Sequence, residues 1–100
     1  MILILAMVFN ISTTNNALAQ DNRCEKISRM AYLIMQKRQQ EFSRVRLEQI
    51  LEETVPDEKE QAAIRQLIKM AYEYPRFYTE ENQEEAARKF ANDVYGVCVD

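Results

Sequence analysis

The stretch Asp57-Glu58-Lys59-Glu60-Gln61-Ala62-Ala63-Ile64-Arg65-Gln66-Leu67-Ile68-Lys69-Met70-Ala71-Tyr72 decides the fold class. Its apolar residues Ala63, Ile64, Leu67, Ile68, Ala71 and Tyr72 recur every three or four positions, the period of a helix with one buried face. Asp57 and Glu60 give Asp-x-x-Glu, close to a capping box with Asp in place of Ser or Thr. Pro75 stops the pattern near Tyr74. The spacing therefore predicts a helix that must bury its stripe against neighbours of the same kind.

The same period continues on either side. Upstream, Leu47, Ile50 and Leu51, with Val45 nearby, follow the candidate cap Ser43 and end at Val55-Pro56. Further upstream, Cys24, Ile27, Ala31, Ile34, Met35 and Arg38 form a stripe over about 22–40, widened by Met30 and Leu33, with Asn22 as cap. Downstream, Thr79-Glu80-Glu81 places acidic groups in a first turn, where the helix dipole favours them. Gln83, Ala86, Ala87, Phe90, Val94, Val97 and Cys98 then make the inward face, and Gly96 weakens or ends the last turn. Strand signals are missing. The expected fold is all-α, a small antiparallel four-helix bundle with short loops. The turn at Glu41-Phe42-Ser43 lacks the Gly or Pro such a turn normally uses.

The first twenty residues differ in kind. Ile2 to Phe9 is an apolar run of eight, followed by polar residues and then Ala17-Leu18-Ala19 before Gln20. That order is the pattern of an export signal, although no Lys or Arg precedes the apolar run. The run is too short for a membrane span, which needs roughly 20 apolar residues. We therefore expect a signal peptide over 1–19, cut after Ala19, and a single helical domain over 20–100 in the periplasm or outside the cell.

Removing 1–19 leaves 81 residues that carry all 29 charged side chains. Residues 21–46 hold seven basic and three acidic groups, and residues 47–100 hold six basic and thirteen acidic. The net charge of −3 argues against nucleic acid as partner, because phosphate neutralisation needs a basic face. Cys24 and Cys98 stand near the two ends of that domain, and an even count in an exported chain reads as a disulfide. An even number of antiparallel helices brings those ends together, so cysteine placement and helix count agree.

Chemistry-bearing patterns are sparse. There is no His, no Gly-rich phosphate loop and no Gly-x-Ser-x-Gly, and two thiols fall short of four zinc ligands. No enzyme activity, cofactor or metal is expected. Carboxylates such as Glu48, Glu52, Glu80 and Glu84 fall on polar faces, and a bundle this small offers little cleft for paired-carboxylate hydrolysis. Tyr72 to Tyr78 packs four aromatics and one Arg into seven residues, the composition of binding hot spots. Those aromatics can equally close the end of the bundle. Tyr74, Arg76, Phe77 and Tyr78 are the candidate partner contacts. Lys37, Arg38, Arg44 and Arg46 are a candidate basic patch for an acidic partner or membrane head groups, or else a solvated helix end.

The series Cys24-x-x-Ile27-x-x-x-Ala31-x-x-Ile34-Met35-x-x-Arg38-Gln39, then Ala71-Tyr72-Glu73-x-Pro75, Thr79-Glu80-Glu81-Asn82 and Phe90…Tyr95-x-x-Cys98 resembles a group of small exported two-cysteine helical proteins of proteobacteria and tailed bacteriophages. The resemblance spans nearly the whole domain and transfers no activity or site residue. A looser, purely architectural likeness links it to periplasmic acid-stress chaperones. Two expectations follow. The first is a non-catalytic protein-interaction module in the cell envelope, such as a phage-encoded modulator or inhibitor. The alternative is a chaperone that opens near carboxylate pKa values, about 4, since His is absent.

Overall fold

The computed structural model describes residues 22–100, and the expected signal peptide lies outside them. Four helices account for nearly all of this part: α1 over 22–39, α2 over Arg44–Thr54, α3 over Glu58–Tyr72 and α4 over Glu80–Val99. The described residues contain no strand.

Helices α2, α3 and α4 each start where a side chain can satisfy an orphan amide. The Ser43 hydroxyl accepts from the Arg46 amide at 3.4 Å, and the Thr79 hydroxyl accepts from the Asn82 amide at 3.1 Å. Asp57 accepts from Lys59 at 3.0 Å, one position earlier than the bond of a capping box. The ends also have physical causes. Val55 is extended ahead of Pro56, so α2 stops at Thr54. Helix α3 ends at Tyr72, two residues before the expected stop. The amides of Glu73 and Tyr74 bond to Met70 and Ala71, which tightens the last turn before Pro75.

The turn between α1 and α2 dispenses with glycine. Glu41 takes φ 64°, the left-handed region. The Phe42 amide bonds to the Lys37 carbonyl at 3.0 Å and the Glu41 amide to that of Arg38 at 3.1 Å, the paired bonds of a Schellman cap. The apolar contact that usually accompanies such a cap is replaced by the Lys37 ammonium, 5.6 Å from the Phe42 ring centroid.

Helices α1 and α4 are joined by a ladder of cross-links whose numbers rise on one helix as they fall on the other. Cys24 is disulfide-bonded to Cys98, Ser28 donates to the Ala91 carbonyl at 2.9 Å, and Tyr32 donates to the Glu84 carboxylate. The two helices therefore run in opposite directions. Helices α2 and α3 pack as a hairpin, bridged by Arg65 and Glu52 at 2.9 Å. All four helices feed one core: Ala31, Ile34 and Met35 from α1, Leu51 from α2, Leu67, Ile68 and Ala71 from α3, and Ala86, Ala87, Phe90 and Val94 from α4.

Four details depart from the sequence reading. Gly96 does not end α4, because the Asp100 amide closes a further turn onto its carbonyl at 3.2 Å. Val97 is exposed at the edge of a groove that no described element covers. Ala63 lies at the edge of the α3 stripe and stays in solvent. Leu33 and Val45, 53% and 64% exposed, sit outside the apolar faces that the core uses.

The disulfide closes a 74-residue separation, and chain entropy assigns such a cross-link about 4.5 kcal/mol. The double variant Cys24→Ser with Cys98→Ser is expected to lose about that much unfolding free energy, read from urea denaturation. A loss below about 1 kcal/mol would show that the bond is dispensable.

Candidate functional site

The candidate contact segment 73–79 joins α3 to α4, and the C-terminal end of α1 organises it. Gln39 continues the inward stripe of Ala31 and Met35, which makes it the one buried polar residue of the described core. An amide buried at 1% exposure must be fully partnered. Its Nε2 donates to the Pro75 carbonyl at 3.0 Å, and its Oε1 accepts from the Phe77 amide at 2.7 Å. Its backbone carbonyl accepts from Arg76 Nε at 2.9 Å.

Its neighbour Arg38 completes the clamp. The guanidinium donates twice to the Tyr74 carbonyl, at 3.3 and 3.1 Å, while lying 5.3 Å from the Tyr72 ring centroid. Arg76 reaches back to the strained residue, donating to the Glu41 carboxylate at 2.9 Å. From the other side, Gln83 of α4 donates to the Phe77 carbonyl at 2.8 Å. The carbonyls of Tyr74, Pro75 and Phe77 thus all accept side-chain hydrogen bonds. No described buried side-chain nitrogen or oxygen lacks a partner.

The four candidate contact residues have different positions. Tyr74 is half-buried, its ring meeting Phe90 edge-on at 5.4 Å. Phe77 packs against the core, and Arg76 is held by Gln39 and Glu41. Tyr78 is the most exposed of the four, 94% exposed between a hydrogen-bonded Phe77 and the capping Thr79. Of the candidate basic patch, Arg38 is turned onto the Tyr74 carbonyl, Arg44 pairs with Glu48 at 3.2 Å, and Lys37 lies over Phe42. Arg46 is exposed.

Beside this segment lies an apolar groove of about 260 Å³ between α1, α3 and α4. Ile27, Leu67, Phe90 and Val94 line it together with Tyr74, Met70, Val97 and Cys98, and Asp93 is its one charged lining residue. Among the described residues no cluster of His, Cys, Asp or Glu is placed to hold a metal ion. No described helix is long and apolar enough to cross a membrane.

Tyr72 is the titratable group that the clamp perturbs. Burial pushes its phenol above the ordinary value near 10, and the nearby Arg38 and Arg44 charges oppose that shift only in part. The phenol donates to the Phe42 carbonyl, which ties the loop region to the α1–α2 turn.

No family model matches the chain, and no curated protein or solved structure matches it.

Sequence reading missed Gln39 as a structural residue. The available signal was its place four residues after Met35, in register with the apolar stripe. Replacing Gln39 by Leu removes these partners from the part-buried Pro75 carbonyl and Phe77 amide. The variant is expected to lose about 2–3 kcal/mol of stability by urea unfolding and to lose hydrogen-exchange protection at the Phe77 amide.

The folded pKa of Tyr72 lies above its unfolded value, so its contribution to stability is complete below the unfolded pKa and is lost as pH rises through the folded one. The urea midpoint should fall more steeply above about pH 10 in the native chain than in Tyr72→Phe. Identical slopes in the two proteins would contradict this role.

Proposed function

We propose that this chain is a non-catalytic protein-interaction module of the cell envelope, exported by a signal cut after Ala19 and folded as an antiparallel four-helix bundle. Its place is the periplasm or the exterior, and its partner is an envelope protein, as for a phage-encoded modulator or inhibitor. The resemblance to small exported two-cysteine proteins fits that setting, and so does a disulfide that staples the two ends of the domain.

The observation that carries the reading is Tyr78. Tyrosine is among the residues enriched at binding hot spots. This one stands 94% exposed on a segment whose flanking backbone is tied down by Gln39, Gln83 and Thr79. Holding the segment in one conformation before contact lowers the entropy cost of association. Tyr74 of the same segment lines the apolar groove, which runs from there toward Val97 and Cys98.

A photo-crosslinking residue at position 78 tests this in the native host. A discrete crosslinked envelope protein is expected, absent when the same residue stands at the exposed position 53 and lost on competition with unlabelled native chain but not with Tyr78→Ala. If positions 78 and 53 give the same pattern, the reading fails.

A further inference from the structure

A second depression, of about 260 Å³, lies between α1 and α4 and is lined by Ser28, Arg29, Tyr32, Arg88, Ala91 and Asn92. Its origin is steric. Ser28 and Ala91 are small residues that meet across the helix pair, Ser28 donating to the Ala91 carbonyl at 2.9 Å, while the residues around them are long. The result is a dent lined by one arginine from each of two helices, Arg29 of α1 and Arg88 of α4.

Neither guanidinium is engaged in the way Arg38 and Arg76 are. Arg29 has only a 3.8 Å contact with Glu25, both side chains being mostly exposed. Arg88 makes no ion pair among the described residues. Glu84, one turn before Arg88 on α4, accepts from the Tyr32 hydroxyl and keeps its charge near the dent. Arginine presents planar forked donors suited to tetrahedral oxyanions, and Asn92 adds an amide donor. Because α1 and α4 are locked by the disulfide and by two hydrogen bonds, the two arginines need no rearrangement of helices to act together.

We propose that the dent between α1 and α4 is a phosphate-group site, with Arg29 and Arg88 as the two clamping cations and Asn92 as a further donor. The ligand is a phosphate-bearing small molecule or the phosphate of an anionic lipid head group. The site is separate from the Tyr78 segment and does not depend on the protein-partner reading.

The test uses the disulfide-bonded chain at constant ionic strength. Inorganic phosphate is titrated while amide and arginine side-chain NMR signals are followed, and co-sedimentation is measured with phosphatidylglycerol and with phosphatidylcholine vesicles. Saturable shifts at Ser28, Arg29, Tyr32, Arg88 and Asn92 are expected, weakened at least about tenfold in Arg29→Ala or Arg88→Ala. Binding to phosphatidylglycerol vesicles alone, lost in the same variants, would place the phosphate on a lipid. The variant Lys37→Ala with Arg46→Ala removes two charges elsewhere and should bind like the native chain. The proposal is overturned if neither probe produces saturable binding at these residues. It is also overturned if the Lys37/Arg46 variant loses as much binding as the Arg29 and Arg88 variants. An unchanged urea midpoint verifies that each variant folds.

Discussion

The Cys24–Cys98 bond is the constraint on which the remaining contacts depend. It fixes the first described turns of α1 against the last turns of α4, and it sets the register that brings Ser28 opposite Ala91 and Tyr32 opposite Glu84. A core built from eleven mostly small or medium side chains buries limited area, and small domains are marginal for that reason. Removing loop-closure entropy from the unfolded chain supplies what such a core lacks. With one end of α1 covalently held, its other end can present Arg38 and Gln39 to a loop that begins more than thirty residues later.

That second end works by different chemistry. The disulfide acts on the unfolded ensemble, whereas the Gln39 clamp acts through native hydrogen bonds that are costly to leave unmade. A loop carrying Pro75 has one amide fewer to satisfy and several carbonyls that must still find donors. Gln39, Arg38 and Gln83 provide those donors from two helices. The left-handed Glu41 belongs to the same arrangement. A glycine there would relieve the backbone but would remove the carboxylate that holds Arg76. The chain keeps the strained residue where its side chain has a partner.

The helices and the cross-link were legible in sequence because their causes are local or countable. Period, caps and prolines located α2, α3 and α4 to within a residue or two, and two cysteines admit one intramolecular pairing. The loop was legible only as composition. Tyr74, Arg76, Phe77 and Tyr78 read alike in sequence, yet Tyr74 and Phe77 are drawn inward, Arg76 is exposed but held by Gln39 and Glu41, and Tyr78 is displayed. The difference lies in Gln39 and Arg38, nearly forty residues away. Val97 was misplaced for a related reason: periodicity gives the face of a helix but not whether a neighbour extends far enough to cover it.

Arginine shows most clearly why residue type alone does not define a site. Arg38 and Arg76 have their donors turned onto backbone carbonyls and Glu41, so their charge serves the architecture. Arg44 and Arg65 are taken up by carboxylates on the α2–α3 hairpin. Arg29 and Arg88 line a common dent, although they stand 59 positions apart and belong to segments of opposite net charge. Charge clustering along the chain pointed to 37–46, where Lys37, Arg38 and Arg44 each have a partner and Arg46 is exposed. Convergence in space, set by the antiparallel pairing of α1 and α4, assigns the unengaged cations elsewhere. An oxyanion meets them without breaking any ion pair shorter than the 3.8 Å contact of Arg29 with Glu25, so the cost of preparing the site is small.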